Sequence, residues 1–376
     1  MAPIDFPPPI FIDEPKALLS LANHLAKETR VAVDTESNSL YAYHERVCLI
    51  QFSTAKTDYL VDPLSLSDLT PLAPVFADRS IEKVFHAAEY DIMCLKRDFA
   101  FEIVGLFDTY QAARTLGWQK PGLANILEDQ FGSHVNKRFQ RANWGKRPLS
   151  QDMLGYARLD THFLLPLRDK LASLLRQESR WEEAVELFAL MEKVPSAQHG
   201  NGNGDFWSVS NARRLGARQA AVLAALYAWR EGEAEAKDRP PFKVIGDKAL
   251  LSVAKAMPTS LRELHDVPDL ATSHAKRYGR QILDAVSRGR AAPKPTRPQN
   301  HSVSRAVRER YDVLRTWRKE TASRRHVDSD VILPRDLLWE IAKAFPDTPE
   351  ALKGIMEALP WRYQHYGQSI LDVLHG

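Results

Sequence analysis

Short runs of β-branched and apolar residues dominate the first third of the chain and predict strands. They occupy residues 31–36, 47–54, 57–62, 82–86 and a stretch that ends near Phe107, and such residues favour half-buried pleated surfaces. Helical spacing of apolar residues follows Asp13-Glu14-Pro15, which is a helix start signal, and a second helix is predicted at 89–98. Strands interspersed with helices predict an α/β layer architecture with a mixed sheet.

Residues 109–192 show helical spacing almost throughout, with breaks around Gly117–Gly122 and Gly132–Pro148. The next stretch, 194–207 (VPSAQHGNGNGDFW), alternates glycine with asparagine between polar flanks and predicts a linker. We therefore place a first domain at residues 1–195. The linker glycines follow no strand and precede no Gly-Lys-Ser/Thr, so the sequence predicts no nucleotide cofactor.

Beyond the linker, the chain repeats itself at an offset of 88 residues. Three blocks align without a gap: Trp229-Arg230 with Trp317-Arg318, Ala254–Pro258 with Ala342–Pro346, and Tyr278-Gly279 with Tyr366-Gly367. A single shared offset predicts two copies of one small all-α module, which we place at residues 208–290 and 301–376. The segment Arg288–Asn300 between them is rich in proline and arginine and predicts a tether.

Composition limits the class of protein. The 376 residues are 44% hydrophobic and 26% charged, which is typical of a folded chain with two or three domains. Two cysteines, Cys48 and Cys94, exclude a disulfide scaffold. No apolar run reaches the roughly 18 residues of a membrane helix, and no secretory signal is visible at the start. We therefore expect a cytoplasmic protein that does not enter a membrane.

Charge is unevenly divided between the two halves of the chain. Residues 1–195 hold 22 lysines and arginines against 27 aspartates and glutamates, whereas the remaining residues hold 29 against 21. The segment 288–325 alone carries twelve basic residues against three acidic ones. Such a basic half favours a nucleic acid or another polyanion as partner, although a solvated surface of uneven charge remains the alternative.

Candidate chemistry lies among carboxylates in the acidic half. Asp34 and Glu36 are two apart in an otherwise apolar strand, so both point to one face of the sheet. Asp91 lies near the start of a predicted helix, and Tyr156 and Asp160 share one face of another. Each has an ordinary alternative, a strand end for the first pair and a helix end for Asp91. Together they form a specific constellation, because clustered buried acids are costly unless a cation holds them.

The order Asp-x-Glu, Asp, Tyr-x-x-x-Asp resembles the exonuclease superfamily named for four acidic residues, in its tyrosine subgroup. It is most similar to the ribonuclease D family, and the resemblance covers essentially the whole chain. The supporting stretches are Asp34-Thr35-Glu36, Phe85-His86-Ala87-Ala88, Leu106-Phe107-Asp108-Thr109 and Trp144-Gly145-Lys146-Arg147-Pro148-Leu149. The repeats resemble the helicase-and-ribonuclease-D C-terminal (HRDC) module, which occurs twice in many members.

This resemblance implies an RNase H-like fold with a site for two Mg²⁺ or Mn²⁺ ions. Asp34, Glu36 and Asp160 would hold the ion that activates water, Asp34 would also bridge to the second ion, and Asp91 would bind that ion through water. Tyr156 would orient the attacking water, since an ordinary tyrosine stays protonated at neutral pH. The implied activity is metal-dependent 3′-5′ exoribonuclease action that releases 5′-mononucleotides, with tRNA precursors as the expected partner.

Basic and aromatic residues alternate shortly before the tyrosine motif, a pattern that suits single-stranded RNA. The candidate RNA contacts are Lys137, Arg138, Arg141, Trp144 and Arg147, although Trp144 could instead anchor a loop. We expect His86 to be structural, and Asp108 to cap the helix that follows it. Two other functions remain open: a DNA 3′-5′ exonuclease, and a nucleic-acid-binding scaffold with an idle site.

Overall fold

A six-stranded mixed sheet forms the centre of the first domain in the computed structural model, which describes residues 7–134, 137–197, 205–298 and 304–376. Its strand order is β1-β4-β3-β2-β5-β6. The strands are β1 (Ile10–Ile12), β2 (Arg30–Ser37), β3 (Val47–Ser53), β4 (Asp58–Val61), β5 (Glu82–Phe85) and β6 (Leu106–Asp108). Strand β1 is parallel to β4, β3 is antiparallel to β4, and β5 is parallel to both β2 and β6.

Eight helices pack around this sheet in the described part of residues 7–197. They are α1 (Pro15–Leu25), α2 (Ala73–Ala77), α3 (Glu89–Phe99), α4 (Thr109–Thr115), α5 (Leu123–Phe131), α6 (Gln151–His162), α7 (Leu164–Gln177) and α8 (Trp181–Glu192). Short 3₁₀ turns occupy Thr70–Leu72 and Lys137–Phe139. Val31, Ala32 and Val33 of β2 are fully buried, so the central strand is anchored in the core just before its acidic residues begin. The predicted RNase H-like α/β fold is confirmed.

Two helical modules of five helices each follow, and they confirm the predicted repeat. The first contains α9 (Ala217–Ala236), α10 (Pro241–Val244), α11 (Asp247–Ala256), α12 (Leu261–His265) and α13 (Thr272–Ala291). The second contains α14 (Arg305–Arg325), α15 (Ser329–Ile332), α16 (Arg335–Ala344), α17 (Pro349–Ile355) and α18 (Pro360–His375). Each helix of the second module begins 88 residues after its counterpart. Two 3₁₀ turns, Phe206–Ser208 and Ala212–Arg214, precede the first module.

The predicted tether begins later than expected, because helix α13 continues to Ala291. Gly289 allows this extension: a Cβ atom there would lie 2.4 Å from the Cα of Val222 on α9. The two helices therefore approach too closely for any side chain at this position. The glycine-rich centre of the predicted linker (198–204) and the end of the predicted tether lie outside the described residues. The predicted domain boundaries remain a prediction.

The described chain forms two compact units. One comprises Met1–Glu36, Val47–Ala197 and Ser302–Gly376, and the other comprises Ser37–Arg46 and Gln198–His301. The second helical module thus shares a unit with the sheet domain. Gly117 shows how close the packing is, since a Cβ atom there would lie 2.4 Å from the carbonyl oxygen of His326. None of the described helices is both long enough and apolar enough to span a lipid bilayer.

Buried ion pairs join the second module to helix α8. The guanidinium of Arg362, which is 0% exposed, donates to Glu186 Oε2 at 2.7 Å and to the carbonyl oxygen of Glu183 at 2.9 Å. Arg325 donates to Glu183 Oε2 at 2.6 Å. Glu183 and Glu186 are themselves buried. Buried carboxylates are stable only when paired, so the second module completes the packing of α8.

Candidate active site

Strand β2 carries two of the predicted acids, Asp34 and Glu36, directly after its fully buried residues. Between them, Thr35 Oγ1 donates a hydrogen bond of 2.5 Å to Asp91 Oδ1 in the first turn of α3. This bond joins the central strand to the helix that carries the third acid. This role of Thr35 could not be predicted from the local sequence, because the contact spans 56 residues of the chain.

Helix α6 carries the remaining pair, Tyr156 and Asp160. The Ser150 hydroxyl caps its start by accepting from the backbone N–H of Met153 at 3.3 Å. Asp58 of β4 holds its other end, where the carboxylate accepts from Arg158 Nη2 at 2.8 Å and lies 2.9 Å from His162 Nδ1. Burial alone would raise the pKa of Asp58, yet the hydrogen bonds from His162 and Ser53 and the charge of Arg158 bring it below its usual value.

The four acids lie close enough to disfavour one another's ionisation. Burial, followed by the charges of Asp91, Asp160 and Glu36, raises the pKa of Asp34 well above its ordinary value. Burial and the charges of Asp160 and Asp91 raise the pKa of Glu36 to about 9. Burial also raises the pKa values of Asp91 and Asp160 to about 7 each. The structure therefore brings all four predicted acids into one electrostatic cluster.

This donor set has the chemistry of a site for hard divalent cations, which prefer carboxylate oxygens. As the side chains stand, no group of three or more histidine, cysteine, aspartate or glutamate residues within the described ranges is arranged to hold a metal ion. The burial and mutual repulsion of the four acids nevertheless fit a cation, because positive charge at their centre would favour ionisation of every member.

Tyr156 is 7% exposed and lies against aromatic rings of the preceding segment. Its ring centroid is 5.9 Å from that of Phe139 and 6.1 Å from that of Trp144. Burial, followed by the charges of Asp160, Glu36 and Asp34, raises the pKa of its phenol. Tyr156 therefore keeps its proton and can position a water molecule or an oxygen atom by hydrogen bonding rather than act as a base.

A surface cavity of about 340 Å³ opens beside Tyr156 and Asp160. Its other lining residues are His86, Ala87, Tyr110, Gly122, Leu123, Ala124, Asn125 and Gln140. Among these, sequence reasoning missed Tyr110, Asn125 and Gln140, because isolated polar residues on helices and loops carry no pattern that marks them. A cavity with aromatic and amide groups next to the acidic cluster can accept a planar base and a sugar.

Asp108 holds the backbone of two residues that line this cavity, Ala87 and Tyr110. Its carboxylate accepts from the backbone N–H groups of Tyr110 and Gln111 at the start of α4, which confirms the predicted cap. It also accepts from Ala87 and Ala88 before α3, at 3.1 and 2.8 Å. Ala87 has a φ of 59°, a strained value for a residue with a Cβ atom, and the Asp108 bonds hold it there.

His86 occupies the edge of the same cavity. Its Nδ1 lies 2.9 Å from Thr109 Oγ1, and burial lowers its pKa to about 4. The ring is therefore neutral at physiological pH and is held between β5 and α4. This geometry supports the expected structural role, and the ring also lines the cavity.

Two of the predicted RNA contacts, Trp144 and Arg147, are held by contacts within the protein. Trp144 is 1% exposed, so its indole has no face open to a base, and it anchors the loop beside Tyr156. Arg147 donates to both carboxylate oxygens of Asp62 at 2.6 Å and also to the carbonyl oxygens of Trp144 and Cys48. Its guanidinium thus clamps this loop to the sheet. Arg138 and Arg141 are exposed and remain candidate contacts, whereas the side chain of Lys137 lies outside the described residues.

Comparisons with known proteins match this arrangement over most of the chain. Residues 9–176 match the family described as 3′-5′ exonuclease, and residues 219–286 and 307–374 each match the HRDC domain. Protein RRP6-like 3 from Arabidopsis thaliana is 34% identical over 70% of this chain, which spans only 32% of that protein's length. Ribonuclease D from Acidiphilium cryptum (strain JF-5) is 27% identical, over 99% of this chain and 94% of that protein.

Among solved structures, Escherichia coli RNase D, described as an exoribonuclease involved in structured RNA processing, superposes with a TM-score of 0.72. The two chains are 25% identical, and the match covers 97% of this chain and 98% of the other. The similarity therefore extends through the sheet domain and both helical modules.

Proposed function

Because this chain belongs to the ribonuclease D type of the 3′-5′ exonuclease family, we propose that it hydrolyses RNA from free 3′ ends and releases 5′-mononucleotides. The observation that carries the proposal is the cluster of four buried acids beside Tyr156 at one cavity. Four buried carboxylates repel one another and are costly to ionise unless cations bind them, so the cluster favours a metal-binding site.

In this proposal, Asp34, Glu36, Asp91 and Asp160 hold two divalent ions, Mg²⁺ or Mn²⁺. When bound, these ions would activate water and neutralise charge on the leaving 3′ oxygen. The Tyr156 phenol would donate to or accept from the attacking water and fix its direction of approach. Its raised pKa supports this role, because a neutral hydroxyl can do both while a phenolate cannot donate.

The cavity beside Tyr156 would receive the last nucleotide of the RNA. Tyr110 offers an aromatic ring, and Asn125 and Gln140 offer amide groups, all next to Asp160. We further propose that tRNA precursors are the substrate. The basic excess beyond residue 195 supports a large folded RNA, since it provides positive charge outside the site of chemistry.

Matched RNA and DNA oligonucleotides with 3′-hydroxyl ends, incubated with and without Mg²⁺, would test the proposal. We expect RNA to shorten one nucleotide at a time from the 3′ end, only with metal, and we expect 5′-mononucleotides as products. Preferential loss of DNA would support a DNA exonuclease instead. Binding without products in either Mg²⁺ or Mn²⁺ would support a scaffold with an idle site.

A further inference from the structure

The two helical modules place an arginine at the same position, because Arg230 of α9 and Arg318 of α14 are 88 residues apart. Both side chains donate from Nη1 to an equivalent backbone carbonyl: Arg230 to Ile245 at 3.5 Å, and Arg318 to Leu333 at 2.8 Å. The modules thus use the arginine in the same way to fasten one helix to the next. The two arginines differ in the residues that surround their other guanidinium nitrogen atoms.

In the first module, two carboxylates neutralise this arginine. Glu231 Oε1 accepts from Arg230 Nη2 at 3.0 Å and from Nε at 3.2 Å. Asp247 Oδ1 accepts from Arg230 Nη1 at 2.5 Å. The charge of Arg230, which is 5% exposed, is therefore satisfied within the module, as a buried guanidinium requires.

At the equivalent positions of the second module, 88 residues later, cationic residues take the place of both carboxylates. Lys319 stands in the place of Glu231, and Arg335 stands in the place of Asp247. Burial, opposed by the charges of Tyr311 and Asp330 and assisted by that of Arg335, lowers the pKa of Arg318. Its Nε is buried and has no hydrogen-bond partner among the described residues.

The carboxylate whose charge acts on Arg318, that of Asp330, is already paired with another cation. Asp330 binds Arg114 of the sheet domain at 2.5 Å. Asp312 pairs with Arg315 at 3.2 Å, and Glu320 is exposed. A half-buried cation whose carboxylate partners have been replaced by cations favours an anion from outside the chain.

A surface cavity of about 580 Å³ adjoins this arginine. Its lining combines three cations with three hydroxyl groups and one acid: Arg315, Arg318, Lys319, Thr316, Ser323, Ser329 and Glu320. At the equivalent positions the first module has Tyr227, Ala228, Glu231, Glu235 and Pro241. The cationic and hydroxyl-bearing lining is therefore specific to the second copy.

We propose that this cavity of the second helical module binds a phosphate of the RNA backbone away from the bond that is cleaved. Guanidinium, ammonium and hydroxyl donors are the groups that hold phosphate oxygens. The inference rests on the proposed exoribonuclease function, which supplies RNA as the ligand. It also distinguishes the two modules, because the first carries an arginine that its own acids already satisfy.

The test gives the second module the acids of the first, through Lys319→Glu combined with Arg335→Asp. Both residues are exposed, and the first module folds with this pair of acids. The matched control, Lys343→Glu combined with Lys353→Asp, changes net charge equally at exposed positions of the same module that do not line the cavity. Binding of a single-stranded 3′-hydroxyl RNA to the full chain is measured by fluorescence anisotropy in chelator, across a salt series.

We expect the cavity variant to bind RNA about five- to tenfold more weakly than the control, with a salt slope lower by about 0.7, the value for one phosphate of a single strand. Its kcat on saturating RNA should equal that of wild type, while its KM should rise, which also shows that the variant is folded. Equal binding by variant and control would overturn the inference.

Further outcomes distinguish free phosphate from RNA phosphate as the ligand of the cavity. They also distinguish failure of this inference from failure of the proposed function. Inorganic phosphate that stabilises wild type against heat, while both variants bind RNA equally, would assign the cavity to free phosphate and refute RNA binding there. Wild-type protein that neither binds nor trims RNA would refute the proposed function together with this inference. Wild-type trimming with no difference between variant and control would refute this inference alone.

Discussion

At the scale of single residues, substitutions in the acidic cluster should lower turnover but raise the stability of the metal-free protein. Asp34→Asn and Asp160→Asn are each expected to leave less than a few per cent of wild-type turnover with Mg²⁺, because each removes a proposed metal ligand. RNA binding in chelator should be largely unchanged. A variant that retains substantial RNA hydrolysis would exclude the residue from metal binding.

The same substitutions should stabilise the metal-free protein at alkaline pH. The folded-state pKa values of these acids are raised, to about 9 for Glu36 and about 7 for Asp160, so the folded state binds protons more tightly than the unfolded state. Metal-free wild type should therefore lose stability as pH rises from the ordinary carboxylate range through these values. Thermal melts in chelator at pH 6 and pH 8.5 should show a smaller decrease for Asp34→Asn than for wild type.

Tyr156→Phe tests positioning. Loss of one hydroxyl from the reaction should reduce kcat by about 10²- to 10³-fold, the magnitude found for one transition-state hydrogen bond. The KM for RNA should change little, because the ring and its contacts with Phe139 and Trp144 remain. An unchanged kcat would show that Tyr156 serves packing alone.

At the scale of elements, helix α6 depends on a contact outside the acidic cluster. Asp58→Asn should decrease stability by about 3 kcal/mol, because it removes the anionic partner of buried Arg158. It should also lower kcat more than it raises KM, since the last turn of α6 positions Asp160. Leu21→Ala in α1 is a suitable control, because it is a buried substitution remote from α6 with a similar cost in stability.

The outcome of that comparison distinguishes positioning from general destabilisation. Both variants are measured well below their melting temperatures, with steady-state RNA hydrolysis. If Asp58→Asn and Leu21→Ala lower kcat equally, Asp58 contributes only stability. If kcat falls only for Asp58→Asn, the contact fixes the helix that carries Tyr156 and Asp160.

Local patterns predicted most elements of the fold. The strands around residues 31–36 and 82–86 and the helix at 89–98 are confirmed to within a residue or two, because their apolar residues repeat with the period of the element. Strand β1 was missed, since three residues beside prolines are too few to show a period. The repeat was visible because its offset is constant across all five helices.

The site was only partly predictable. The period of strand β2 predicted that Asp34 and Glu36 share one face, and the period of helix α6 predicted the same for Tyr156 and Asp160. Neither prediction needed a tertiary contact. Which side chains stay exposed depends on distant segments, and for this reason the internal contacts of Trp144 and Arg147 could not be predicted from their neighbours in sequence. The partner of Arg147, Asp62, lies 85 residues earlier in the chain, so no local pattern could mark that arginine as structural.

At the scale of the whole molecule, the second helical module is part of the stability of the sheet domain. Arg362→Met should lower the free energy of unfolding by about 3–5 kcal/mol, because Glu186 would remain buried without its cation. Adding Glu186→Gln should recover part of the loss. The matched control is Arg305→Met on an exposed face of α14, for which the change should be within about 0.5 kcal/mol.

Chemical denaturation would measure these differences. Equal stability for wild type and Arg362→Met would show that the ion pairs contribute nothing net. A chain that ends after Leu190 is expected to be less stable than either variant, because it exposes Glu183 and Glu186 together with the apolar surface around them.

The Asp108 carboxylate should slow the exchange of four backbone amide protons with deuterated water. The four amide protons that it accepts belong to Ala87, Ala88, Tyr110 and Gln111, in a turn and a first helical turn where exchange is ordinarily fast. We expect these amides to exchange as slowly as those of the central strands, and to become fast in Asp108→Ala. Slow exchange without RNA would mean that the two turns beside the cavity are ordered before any nucleotide enters, so that binding does not have to order them.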